Sequence, residues 1–168
     1  MLMPLEVNYS NQPVKIVAPP QQAIFLAGPT PRDPETPSWR PLAIEALKEL
    51  EYTGLVYVPE VESPDIGYYD YTNQVEWEWE ALDRADAIAF WVPRKIDTSK
   101  PSLGMPAFTT NVELGLYLGK SPDKVFYGRP DDSEKNRYPD KLYQRYTGRT
   151  AINNLGDLMA QVIEGIRK

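Results

Sequence analysis

The stretch AIFLAGP, residues 23–29, decides the fold. Its apolar residues run without polar alternation into Gly28 and Pro29, which predicts a strand buried on both faces, as in the interior of a parallel sheet. After it, the proline-rich TPRDPETPSW leads to helical spacing over residues 39–51. There Leu42, Ala46, Leu47 and Leu50 are expected on one face, with Ser38 placed to cap the start. GLVYVPE (54–60) predicts a second strand, and a Tyr-rich loop around Tyr68 and Tyr69 precedes a helix from about Gln74 to Arg84. ADAIAFWVP (85–93) predicts the third strand. Beyond a Pro/Lys/Gly loop come a helix in FTTNVELGLYLG (108–119), a strand KVFYG (124–128), a polar loop RPDDSEKNRYPDK and a short strand near RTAIN. The chain closes on a helix with Leu155, Leu158, Met159, Val162, Ile163 and Ile166 on one stripe. Upstream of the first central strand, LEVNY and VKIVAP read as short edge strands. Alternating strands and helices predict an α/β fold, a parallel sheet with helices on both faces and right-handed crossovers. One domain over 1–168 is expected, with 1–22 as edge strands and linker and 23–168 as the α/β core.

Composition narrows the chemistry. The chain of 168 residues carries a formal net charge of -6, which argues against a surface that neutralises nucleic acid or anionic lipid. It has no cysteine and no histidine, which removes thiol nucleophiles, disulfides, Ser-His-Asp triads and nearly every zinc site. Chemistry must therefore come from carboxylates, hydroxyls, amides, Lys or Arg. The N-terminal residues lack the pattern of a signal peptide and no run reaches the length of a membrane span, so a cytoplasmic protein is expected.

In doubly wound sheets ligands bind beyond the carboxyl ends of the strands. That rule marks Gly28 to Arg32, Pro59 and Glu60, Pro93 and Arg94, and Gly128 and Arg129. The 17 prolines gather mostly in the loops at this rim. The absence of GxGxxG and of GxxxxGK speaks against a dinucleotide site or a P-loop.

Two carboxylates stand in places that need a reason. Thr110, Asn111, Val112 and Glu113 match a capping box, which alone would account for Glu113 and would keep it ionised at a helix N-terminus. An ionised carboxylate there is also what a carboxylate nucleophile requires. In QVEWEWEALDRAD, Glu78 shares its helical face with Val75, Trp79 and Leu82, while Glu76, Glu80 and Asp83 fall on the solvated side. An inward carboxylate needs either a partner or a cavity.

FLAGP after the first strand, SWR opening the first helix, W-E-x-x-L-x-x-A-D before the third strand and TNVELG together resemble the nucleoside 2-deoxyribosyltransferase-like family, over roughly residues 23 to 130. The resemblance implies a flavodoxin-like sheet of order 2-1-3-4-5 and exchange of a nucleobase on a 2-deoxyribosyl unit through a covalent glycosyl-enzyme intermediate. It implies no metal or organic cofactor, a small-molecule nucleoside or nucleotide as partner, and a homo-oligomer in which the loop holding Asn136 and Tyr138 is a candidate for donation to a neighbouring site. It places the nucleophile on Glu113 and the acid that contacts the base on Glu78. Phe25, Gly28, Pro29, Gln74, Asn111 and Arg40 form the expected substrate-binding set, with Gln74 and Asn111 as orienting amides. The chain departs from the family pattern at Glu78, where well-studied transferases have Asp, at Ala107, where they have a second Asp, and at Phe25, in place of a Tyr. These departures and the SWR and GRP elements suggest a divergent branch. Trp77, Trp79 and Trp91 are candidates to stack on a base or to fill core, and Arg32, Arg40, Arg94 and Arg129 to bind a phosphate or to serve as surface and ion-pairing residues. An N-glycoside hydrolase using the same residues, or a non-catalytic nucleotide-binding module on the same fold, stands beside the transferase.

Overall fold

The computed structural model describes residues 4–62 and 71–168. The Tyr-rich loop expected around Tyr68 and Tyr69 lies outside the described residues. The strands β1 (Glu6–Tyr9), β2 (Ala23–Ala27), β3 (Leu55–Val58), β4 (Ala87–Trp91) and β7 (Val125–Gly128) form a parallel sheet of order β1-β3-β2-β4-β7. Counted from β2 as the first central strand, this is the expected 2-1-3-4, with β1 added at the edge. The expected fifth strand shrinks to one parallel bridge between Gly128 and Ile152.

Why the AIFLAGP run is unbroken follows from its neighbours. Ala23, Phe25 and Ala27 pack toward one face of the sheet, and Ile24 and Leu26 toward the other. Phe25 stands opposite Tyr57 of β3 and Ile88 of β4. Helices α2 (Tyr71–Arg84), α3 (Phe108–Lys120) and α4 (Arg137–Thr147) cover the first face, through Trp77, Ala81 and Leu82, then Leu114, Tyr117 and Leu118, then Tyr143. Helices α1 (Arg40–Glu49) and α5 (Leu155–Ile166) cover the second, with Ala43, Ile44 and Leu47 against Leu158, Met159, Val162 and Ile163. Asn154 caps α5 by accepting from the Asp157 amide at 2.9 Å. Among the described residues no helix is long and apolar enough to cross a membrane.

Several sequence expectations need correction. VKIVAP forms no strand. The Asn8 side chain instead accepts from the Lys15 amide and donates to the Pro13 carbonyl, and the segment crosses the sheet face as irregular chain, with Val14 and Val17 against the core. In α1, Leu42 is 68% exposed and the buried face is Arg40, Ala43, Ile44 and Leu47. In α2, Trp79 is exposed and Trp77 buried, because the inward stripe runs through Gln74, Trp77 and Ala81 at helical spacing. The loop after β4 carries a small antiparallel hairpin, β5 (Lys95–Ile96) with β6 (Gly104–Met105). Helix α4 replaces the end of the expected polar loop. It buries only Tyr143 fully, so its apolar stripe is too thin to read, and its Pro139 sits in the first turn, where a missing amide costs nothing.

Candidate active site

The site begins where β2 ends. Gly28 has φ 148, and a Cβ there would fall 2.1 Å from the Trp91 carbonyl oxygen and 2.8 Å from the Trp39 ring, so only glycine lets the chain turn out between them. Trp39 closes the turn by donating its Nε1 hydrogen to the Pro29 carbonyl at 3.1 Å.

Arg40, the next residue, is the organising cation. Its Nε donates to Leu26 O at 2.9 Å, Nη2 to Gly28 O at 2.7 Å, and Nη1 to Thr30 Oγ1 at 2.9 Å and Glu60 Oε2 at 2.8 Å. Ser38 donates its hydroxyl to the same Glu60 oxygen at 2.7 Å and accepts from the Arg40 amide at 3.2 Å, but the N-cap of α1 is Trp39 and no side chain caps this helix, so the cap expected at Ser38 does not form. The guanidinium is buried, so Arg40 does not stand at the rim as a free phosphate ligand but lies beneath it and ties the ends of β2 and β3 together. A fork with several donors suits that task; an ammonium would not reach these acceptors at once.

Around this cation stand three carboxyls, since Arg40 interacts electrostatically with Glu60, Glu78 and Glu113. Glu78 is half-buried, and the Gln74 Nε2 donates to its Oε1 at 3.0 Å and to the Pro59 carbonyl at 3.0 Å. Burial raises the Glu78 carboxyl above the ordinary carboxylate range, against the Gln74 hydrogen bond and the Arg40 charge.

Glu113 comes from the other helix. The left-handed Ala107 (φ 58) starts α3, so Glu113 falls in the second turn and not at the third helical position. The capping box is therefore absent, and no side chain caps this helix. Burial, then the charge of Glu78, pushes the Glu113 carboxyl up to about 8, with Arg40 opposing. The expectation that a helix N-terminus would keep it ionised fails here, because desolvation outweighs the dipole beyond the first turn.

The remaining expected residues divide. Phe25 is core, its ring 6.3 Å from that of Trp77. Trp77 is core too, edge-on to Tyr57 and donating to the Gln12 carbonyl. Trp91 is buried under Gly28. Asn111 is exposed and its side-chain oxygen accepts from the Arg94 Nη2 at 2.7 Å. Arg129 pairs with Asp140 at 2.6 Å, an acceptor shared with the Tyr127 hydroxyl. Arg32 is exposed at the lip of a cavity of about 290 Å³ that Ser38 and Glu60 also line. Asp33 in the same lip binds Lys100 at 2.7 Å, which holds the β5–β6 connection to the loop after β2.

Sequence reasoning gave Glu60 no role beyond its place at the rim. The signal available was a carboxylate at a strand end beside a buried-helix arginine. Among the described residues no three acids are placed to hold a metal ion.

Compared with protein-family models, residues 21–131 match the family described as nucleoside 2-deoxyribosyltransferase like. The match runs from β2 through β7 and contains Arg40, Glu60, Glu78 and Glu113. A comparison with curated proteins returns no match.

Proposed function

This chain belongs to the nucleoside 2-deoxyribosyltransferase-like family, and from that premise we propose that it cleaves and re-forms the N-glycosidic bond of a 2-deoxyribosyl substrate through a covalent intermediate on Glu113. The observation that carries this reading is the shared electrostatics of Glu78 and Glu113 beside Arg40. The reaction starts from the form of the pair with one proton, on Glu113, whose carboxyl is the one pushed up to about 8. Transfer of that proton to Glu78, directly or through water, leaves Glu113 ionised as the nucleophile and Glu78 as the acid. A Glu113 oxygen then bonds to C1′ as the C1′–N bond breaks, and the departing base takes the proton from Glu78. An incoming base returns a proton to Glu78 and attacks C1′, freeing Glu113. If water attacks instead, the product is free sugar and the enzyme is a hydrolase. Gln74 orients Glu78.

The test is trapping with a 2-fluoro sugar nucleoside analogue. Intact mass should rise by one glycosyl unit in the wild-type protein and stay unchanged in Glu113→Ala, with Glu113→Gln as the variant that keeps side-chain size. An adduct on Glu113→Ala would sink the assignment. Supplying a second base then separates the transferase, which makes a new nucleoside, from the hydrolase.

The partner we propose for α3 is a second copy of the chain. Phe108, Val112 and Leu116 recur every four residues along α3 and are 62%, 71% and 55% exposed, an apolar stripe on the helix that carries Glu113. Sedimentation should show an oligomer that Val112→Glu dissociates; a monomeric wild-type protein would refute it.

A further inference from the structure

Three helices lie side by side on the first face of the sheet, and their outward sides differ in kind. α2 links β3 to β4 and α3 links β4 to β7, all parallel strands, while α4 follows β7 and leads to the parallel bridge at Ile152, so the three run in the same direction. α3 is the middle one. It packs on α4, and its Tyr117 hydroxyl and Lys120 ammonium bind Asp83 of α2 at 2.6 and 2.8 Å. Outward, α2 exposes Glu76, Glu80 and Asp83. α3 exposes Phe108, Val112, Leu116 and Gly119, on the side opposite the buried Thr110, Leu114 and Leu118. α4 exposes Arg137, Lys141 and Arg145, away from the buried Tyr143. Among the described residues no ion pair holds these three cations, and Glu76 has none either. Glu80 and Asp83 bind Arg84 and Lys120 at exposed positions, where such pairs are worth little and exchange partners readily. An acidic row, an apolar ridge and a basic row therefore follow one another across a single face.

We infer that a second copy docks on this face in one orientation, about a two-fold axis parallel to α3, so that the acidic row of α2 in each copy meets the basic row of α4 in the other. This rests on the self-contact proposed above for α3 and adds what that contact leaves open, its direction and its charged flanks. A closed dimer is isologous, so ridge meets ridge, and there are two ways to lay one ridge along the other. An axis across the helices sets α2 on α2 and α4 on α4, acid against acid and base against base. An axis along the helices sets α2 on α4 twice. Like charges brought together at an interface cost affinity, whereas opposed rows steer the encounter and fix its register. Packed helices stand about 8 to 10 Å apart, a gap that Glu, Lys and Arg side chains bridge. In this dimer the carboxyl rims of both sheets, with Glu78 and Glu113, lie at the same end.

The chain has no cysteine, so single cysteines report the orientation. Phe108→Cys and Gly119→Cys mark the two ends of the ridge, about 16 Å apart at 1.5 Å per residue. Both positions are exposed, and a Cβ at Gly119 meets nothing within 4 Å. With a short bismaleimide, each variant alone should link to its own copy. An axis across the helices links at most one of them alone and joins the two variants in a mixture; that pattern overturns the orientation and leaves self-association standing. Sedimentation of charge variants reads the flanks. Glu76→Lys with Glu80→Lys, and separately Lys141→Glu with Arg145→Glu, should each weaken dimerisation about tenfold or more, and all four together should bring it back to within about threefold of wild type. Reversals that leave dimerisation unchanged overturn the pairing of α2 with α4. A dimer that links at neither cysteine joins through another surface and overturns this inference together with the contact proposed for α3. A monomeric wild-type protein does the same and leaves the face to a different macromolecule.

Discussion

The charge of Glu78 reaches Glu113 and adds to burial in pushing its carboxyl up to about 8. Two acids so placed titrate as a pair, and the form with one proton is the one that the proposed reaction needs. The pH profile of kcat/KM should therefore be bell-shaped. Its upper arm should fall through about 8 as the last proton leaves, and its lower arm should fall where Glu78, itself raised, takes a second proton. Steady-state rates between pH 4 and 10 check this. A rate that climbs through pH 8 would mean that the proton on the pair has no part in the chemistry.

The same carboxyl sets a stability slope. Unfolded, Glu113 loses its proton near the ordinary value of 4.5, whereas in the fold it keeps the proton to about 8. Between those values the native state binds more protons than the unfolded state, so stability declines as pH rises through that window. Glu113→Gln has no proton to lose. It should match the wild-type protein at pH 4 and exceed it by about 1 to 3 kcal/mol at pH 8.5 in urea unfolding. A variant less stable than wild type at the higher pH would show that the carboxylate has a partner in the fold.

Gly28→Ala should be severe. The added methyl would meet Trp91 O at 2.1 Å and the Trp39 ring at 2.8 Å, on a backbone at φ 148. Neither obstacle can yield cheaply, since one is the backbone of the central strand β4 and the other is a buried indole whose nitrogen is bonded to Pro29 O. A loss of about 3 kcal/mol or more is expected, seen as a large drop in Tm. A neutral Gly28→Ala would mean that the β2 turn is not built as described.

What the sequence disclosed and what it hid follow from the same physics. AIFLAGP was readable because every residue of β2 packs against apolar side chains on one face or the other. The inward side of α2 was readable at Glu78 but misjudged at Trp79, because a large apolar residue is taken as core even when its helical angle points outward. Glu113 was readable as an oddity in an apolar helix. Its protonation was not, since that depends on burial and on Glu78, which is distant along the chain. Arg40 was hidden for another reason. Its partners Leu26 and Gly28 are backbone carbonyls at a strand end, and no side-chain pattern marks a carbonyl as an acceptor. α1 was consequently given a Leu42 face where its inner side is occupied by an arginine.

Arg40 separates architecture from electrostatics. Arg40→Met removes the donors to Leu26 O, Gly28 O, Thr30 Oγ1 and Glu60 Oε2 and leaves these acceptors and a carboxylate without their cation. Breaking a buried pair in this way costs about 3 to 5 kcal/mol. It also deletes the charge that holds Glu78 and Glu113 down, so both carboxyls should rise and the upper arm of the rate profile should move above about 8. Arg40→Lys keeps a charge but loses the planar fork, so it should lower Tm while leaving that arm close to its wild-type position. Denaturation midpoints and pH–rate profiles on the two variants distinguish these effects. If Arg40→Met unfolds outright, Arg40→Lys still decides, because an arm that shifts with the charge retained would mean that Arg40 acts on the acids through geometry and not through its field.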